Sequence, residues 1–186
     1  MLPTGMNWGF ATPVALVVML MNVPNGHAPA NPAAGRASIS VRIPPATPLP
    51  TLVEAVRRSA MPTRNPREIE CLARTVYFEA RGDVLEGQLA VARTVINRTQ
   101  SDLFPDSICA VVRQESQFSF VRDRVIPEVD RSAPAWRTSV AIALIARKGW
   151  PTRAGKALFF HAPYKFPKWR LARPALGRIG AHLFYS

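Results

Sequence analysis

Apolar residues return every three or four positions from residue 69 onward, the spacing of a helix that buries one face. At about 100° per residue, Ile69, Leu72, Ala73, Val76 and Ala80 fall on one stripe. Gly82 then closes the helix in the position that suits a residue without a side chain, and Asp83 begins a new segment. A second helix is predicted over residues 84–99, where Leu85, Leu89, Ala92 and Ile96 form one apolar row and Val84, Val91 and Val95 another. So wide a stripe marks a central, mostly buried helix. Glu86, Arg93 and Asn97 lie on its opposite side, and Asn97 with Arg98 reads as a polar cap on the core. The run from Phe104 to Ser107 punctuates the chain and opens a short helix through Cys109, Val111 and Val112. Residues 117–120, Gln-Phe-Ser-Phe, alternate polar and aromatic and predict a short extended segment. After a charged loop from Arg122 to Asp130, Pro134 opens a helix with Trp136, Val140, Ala143 and Leu144 inward, stopping at Gly149. Residues 157–161 and 179–185 read as two strands separated by the aromatic loop from Tyr164 to Trp169. The predicted class is α+β, mainly α, with a small β element.

The first third of the chain is different material. Trp8 to Met21 is dominated by apolar residues, Gly26 and Ala28 follow with the spacing of a cleavage site, and the first basic or acidic residue is Arg36. This reads as an export signal over residues 1–28, although the usual positive start is missing. The alternative is an uncleaved membrane anchor, against which stands a length short of the ~20 apolar residues a spanning helix needs. Residues 29–65 are rich in Pro and Ala with little periodicity, the composition of a tether, and only Leu52 to Arg58 could form a turn of helix. The folded unit is expected over residues 66–186, about 120 residues, enough for a real core.

With 24 Lys and Arg against 12 Asp and Glu, the net charge of +12 calls for an anionic partner. The basic residues are scattered and match no nucleic-acid-binding pattern, so no nucleic acid is expected. Cell-wall glycan with its peptide carboxylates, or an anionic membrane surface, suits an exported chain better. Cys71 and Cys109 are the two cysteines. In an exported chain an even pair reads as a disulfide, set against two separate buried thiols. Neither has the paired spacing of a metal ligand, and no cofactor is expected.

The candidate chemistry sits on the first helix. Glu79 projects only about 20° from Leu72, two turns away, on the rim of the buried stripe. A carboxyl withdrawn from water loses solvation of its charged form, so its pKa rises and it can hold a proton near neutral pH for a leaving group. The plainer reading is a solvated residue on the helix flank. Gln88 projects between the two apolar rows of the second helix, so its amide should be buried and must find partners, either backbone or substrate.

Several segments in order carry a resemblance: residues 70–74 (Glu-Cys-Leu-Ala-Arg), 77–82 (Tyr-Phe-Glu-Ala-Arg-Gly), 86–92, 95–98 (Val-Ile-Asn-Arg), Phe104-Pro105, Gln117 to Ser119, and 178–185. Together they resemble the SleB/CwlJ-like cell wall hydrolases, which include spore-cortex-lytic enzymes. The resemblance implies a lysozyme-like, lytic-transglycosylase-type domain that cleaves peptidoglycan glycan strands between N-acetylmuramic acid and N-acetylglucosamine, with Glu79 in the place of the catalytic acid. In that chemistry the muramyl 6-hydroxyl is the nucleophile and a 1,6-anhydro product forms, so one carboxylate suffices where ordinary glycosidases use two. A hydrolytic muramidase would need a second carboxylate, for which Asp83 and Glu86 are the nearest candidates in sequence. Gln117, His161 and Tyr164 are assigned to the substrate groove, because polar and aromatic groups beside short strands suit sugar stacking and hydroxyl bonding, and Gln88 is assigned there as the buried amide; the export segment places the domain in the periplasm or cell wall, or leaves it anchored at the inner membrane. Some relatives carry a further cysteine pair where Ser116 and Arg122 stand here, which leaves Cys71 and Cys109 for one another. No peptidoglycan-binding repeat precedes the domain, so a spore cortex is not implied as the target. A zinc amidase would need about three protein ligands, and only His161 and His182 would remain after signal removal. A non-catalytic wall-binding module is the rival from another class.

Overall fold

The structure, a computed structural model, describes residues 50–186. The expected signal over residues 1–28 and most of the expected tether lie outside the described residues. Among the described residues five helices precede a small sheet: α1 (Leu52–Arg58), α2 (Arg67–Ala80), α3 (Leu85–Arg98), α4 (Ile108–Val112) and α5 (Pro134–Arg147), then β1 (Phe159–His161), a 3-10 turn (Lys168–Ala172), β2 (Ala175–Ile179) and β3 (His182–Tyr185). α2, α3 and α5 pack on one another, and α4 lies against α2 and α3. Leu72, Val76, Leu89, Val95, Val140 and Ile142 have no exposed surface and form the centre of this packing.

Local chemistry sets the helix limits. Pro66 precedes α2 and Pro134 occupies its permitted place at the start of α5. Gly82, at φ +83°, takes the left-handed conformation that ends α2 and turns the chain into α3 within a few residues. Because of that short turn, the C-terminal end of α2 and the start of α3 stay close together.

Three expectations are corrected. Gln117 to Phe120 forms turns rather than an extended segment, because the backbone closes on itself, Gln117 N–H donating to the Gln114 carbonyl at 3.4 Å and Val121 N–H to the Phe118 carbonyl at 3.1 Å, and Phe118 and Phe120 pack against each other at 5.5 Å. Residues 179–185 are not one strand: a turn at Gly180 and Ala181 folds β2 back onto β3, and Gly180 adopts φ +56° to make it. The sheet order is β1-β3-β2, antiparallel throughout, with His161 opposite Leu183 and Ile179 opposite His182. The packed unit also reaches further toward the N-terminus than the expected boundary at residue 66. α1 is fixed by a capping box, in which the Thr51 side chain accepts from Glu54 N–H while the Glu54 carboxylate accepts from Thr51 N–H, and its buried Leu52 joins the core beside α5.

Cys71 on α2 and Cys109 on α4 form a disulfide across 38 residues, with their Cα atoms 5.3 Å apart. Arg74, less than one turn further along, ties α2 to the loop before α5, donating to the Ile126 and Pro127 carbonyls and pairing with Glu70 and Glu128. Burial opposes ionisation of Glu70, but hydrogen bonds from Asn65 and Arg74 and the charges of Arg131 and Arg74 outweigh it and hold the carboxyl below its usual range.

Candidate active site

A cleft of about 540 Å³ opens between the end of α2, the turns around Ser116 to Ser119, and β1 with the loop that follows it. Glu79, in the last turn of α2, lies in its wall, flanked by Phe78, whose ring stacks on Phe120 at 4.9 Å. Burial pushes the Glu79 carboxyl up to about 7, and the positive charge of Arg98 works against that rise. Among the described residues no donor bonds to the Glu79 carboxyl, which leaves it free for a ligand.

Arg98 is the residue that sequence reading missed as a member of the site. Its position at the end of α3 was legible as a polar cap, and it does cap: Nε donates to the Leu158 carbonyl at 2.7 Å, while Asn97 donates to the Gly155 and Ala157 carbonyls. What could not be read is that Arg98, only 4 % exposed, lays its guanidinium over the rings of Phe104 and Phe118 and lines the same cleft as Glu79. Burial lowers its pKa to about 10, with Glu79 opposing, so it stays charged at neutral pH. The two groups make no ion pair within 4.0 Å, and Arg98 acts on Glu79 through the field.

Of the residues assigned from sequence, Gln117, His161 and Tyr164 all line the cleft beside Glu79. Gln117 is exposed, as is Tyr164 at 75 %, so both present free polar and aromatic surface. His161 contributes its ring but no free nitrogen. Nδ1 donates to the Ala162 carbonyl at 2.8 Å, which can only accept, so Nε2 accepts from the Tyr185 hydroxyl at 3.1 Å. A second hollow, lined by Phe159, Phe166 and Trp169, shares Arg98, Gln117 and His161 with the cleft and extends it along the aromatic loop.

Gln88 does not reach the cleft. Its buried amide donates to the Asp83 carbonyl at 2.9 Å and steadies the α2–α3 turn, which corrects its assignment to the substrate groove. Asp83 and Glu86 are absent from the cleft wall as well: Asp83 accepts from the Val84 and Ala181 backbone N–H groups, and Glu86 is exposed on the first turn of α3. Among the described residues, Glu79 is the one carboxylate lining the cleft. His182, whose side chain is buried, lines it too. Among the described residues no three His, Cys, Asp or Glu side chains come together as a metal site, and no helix is long and apolar enough to cross a membrane.

Known proteins are similar to this chain over 63% to 69% of its length. The spore cortex-lytic enzyme of Bacillus subtilis is 34% identical over 117 residues, covering 63% of this chain and 37% of that protein. The spore cortex-lytic enzyme of Oceanobacillus iheyensis is 34% identical over 119 residues, 63% of this chain and 41% of its own length. The chain thus matches less than half the length of these relatives. Among solved structures, the catalytic domain of the germination-specific lytic transglycosylase SleB from Bacillus anthracis is 31% identical with a TM-score of 0.57, covering 68% of this chain and 100% of that domain. The catalytic domain of Bacillus cereus SleB gives 31%, 0.56, 69% and 98% in the same terms. The mainly helical, lysozyme-like class expected from sequence is the class of these neighbours. The Cell Wall Hydrolase family matches residues 82–185, more than half of the sequence and beginning at the glycine that ends α2; the chain belongs to that family.

Proposed function

We propose that this protein cleaves peptidoglycan glycan strands between N-acetylmuramic acid and N-acetylglucosamine as a lytic transglycosylase, with Glu79 as both acid and base. The observation that carries the reading is a lone carboxyl in the cleft wall whose pKa burial raises to about 7. Such a group holds a proton at neutral pH and still gives it up readily. The Glu79 proton passes to the glycosidic oxygen as the bond from muramyl C1 breaks. The muramyl O6 then bonds to C1 and returns its proton to the Glu79 carboxylate. No water is consumed, the ring closes as the 1,6-anhydro sugar, and the enzyme ends as it began. Arg98 offsets the negative charge on Glu79 between the two proton transfers. Tyr164 and Gln117 offer a stacking face and an amide to the sugars, and His161 serves as wall rather than as a hydrogen-bonding partner.

The setting is the periplasm or cell wall, reached through the apolar segment before Ala28 as a cleaved signal or as an anchor. Digestion of purified peptidoglycan with the full chain, wild type beside Glu79→Gln, tests the proposal by mass spectrometry of the soluble products. Anhydro-muramyl ends from the wild type alone are expected. Reducing muramyl ends would replace it with a hydrolytic muramidase, and binding without cleavage by either protein would replace it with a wall-binding module. Loss of cleavage in EDTA would turn the reading to a metal-dependent amidase.

A further inference from the structure

Behind the cleft, one carboxylate joins the α2–α3 turn to the β2–β3 turn. Asp83 Oδ1 accepts from Val84 N–H at 2.7 Å, and Oδ2 accepts from Ala181 N–H at 3.0 Å. The backbone closes so tightly around it that a Cβ on either Gly87 or Gly180 would collide with the carboxylate. Asp83 is thus held in place from both sides, and the residue after Ala181 is His182.

His182 is buried, only 6 % exposed. Its Nδ1 is sealed and has no hydrogen-bond partner, and the polar atom it faces is Asp83 Oδ2 at 3.8 Å. That is too long for a hydrogen bond, yet close enough for the carboxylate to decide which nitrogen carries a proton. Burial lowers the pKa of His182, with Asp83 opposing and His161 adding to the fall, so the ring is neutral at neutral pH and carries one proton. A proton on Nδ1 is attracted by the carboxylate, whereas a lone pair there would be repelled. Nε2 is then left with the lone pair. Among the described residues it has no partner, and the ring lines the cleft that holds Glu79. The neighbouring His161 has both nitrogens engaged, so the two histidines differ in what they can offer a ligand.

We propose that Asp83 fixes His182 as the Nδ1–H tautomer and that His182 Nε2 accepts a hydrogen bond from the sugar bound beside Glu79. An acceptor that cannot donate matches a group that cannot accept, and the acetamido N–H of an N-acetylated amino sugar is such a group. His182 is then a substrate-contacting residue and Asp83 the residue that positions it. The inference rests on the glycan-cleaving reading of the same cleft.

Nitrogen-15 NMR of the full chain, with the His182 signals identified by their loss in His182→Gln, reads the tautomer directly. The wild type should show protonated Nδ1 and bare Nε2 at neutral pH, and adding soluble peptidoglycan glycan fragments to Glu79→Gln should move the Nε2 signal. In kinetics, His182→Leu removes the acceptor and should lower kcat/KM on the order of ten- to a hundredfold, while His182→Gln, which keeps an amide near the Nε2 position, should recover most of it; thermal midpoints verify that both variants fold. An Nε2–H tautomer in the wild type, an Nε2 signal unmoved by glycan, or a His182→Leu enzyme as active as wild type would each overturn the inference. If the wild type cleaves no glycan while the Nε2 signal still responds to it, this inference stands and the cleavage reading fails.

Discussion

Glu79 carries a penalty that its function would explain. A carboxyl whose pKa rises from 4.5 to about 7 binds its proton more tightly in the folded state than in the unfolded one. The stabilisation this gives is complete below pH 4.5 and is lost as pH climbs through about 7, where folding must desolvate a charge. Glu79→Gln cannot ionise. It should match or slightly trail the wild type in acid and exceed it by up to roughly 3 kcal/mol in alkali, as read by urea unfolding across the pH range. A difference that does not vary with pH would show that Glu79 is solvated like a flank residue. Cleavage should fall over the same interval, because the acid form is the one that starts the reaction. The position of Glu79 on the rim of its helix stripe was legible in the sequence because helical spacing is local. Arg98 was not legible as its neighbour: the approach depends on how the end of α3 packs against Phe104 and Phe118, residues that no periodicity connects to Glu79.

The β2–β3 hairpin is tied to the α2–α3 turn through the Asp83 carboxylate. Ile179 to Tyr185 looks like one strand because apolar and polar residues run on through it, and only the approach of Asp83 from the α2–α3 turn shows why the chain must reverse at Gly180. Gly155 and Gly180 have similar left-handed φ values, +50° and +56°, but a Cβ at Gly155 meets nothing within 4 Å while one at Gly180 strikes the Asp83 carboxylate. Ala at either place carries the same backbone cost. Gly180→Ala should therefore destabilise the fold by about 1–3 kcal/mol more than Gly155→Ala, measured by denaturant midpoints. It should also disturb the His182 ring signals, which Gly155→Ala should leave alone. Equal midpoints for the two variants would mean that the carboxylate gives way freely and does not lock the hairpin.

Across the folded unit, the helices are joined covalently as well as by packing. The Cys71 to Cys109 bridge ties α2, which carries Glu79, to α4. Closing a loop of 38 residues restricts the unfolded chain by roughly 4 kcal/mol on the chain-entropy account. Replacing both cysteines by Ala should lower stability by up to that amount, seen as a reduced denaturant midpoint. Because the bridge lies toward the other end of α2 from the cleft, the cleavage rate of the protein that remains folded should change little. A collapse of activity at full folded population would place the bridge in the catalytic arrangement instead. α1 adds a second brace outside the expected domain limit, and its capping box was present in the sequence at Thr51 and Glu54 within a stretch otherwise poor in periodicity.

By itself, the sequence determined the three long helices, the rim position of Glu79, the glycine that ends its helix and the membership of the family, because each depends on spacing within a few turns or on ordered local motifs. Only the tertiary structure decided which polar groups face a ligand. It turned Gln88 inward to the Asp83 carbonyl, used both nitrogens of His161, and brought Arg98 and His182 to the cleft of Glu79. Those outcomes rest on contacts between residues far apart in the chain, such as the bond from Ala181 N–H to the Asp83 carboxylate, and side-chain burial set by such contacts leaves no periodic trace in the sequence.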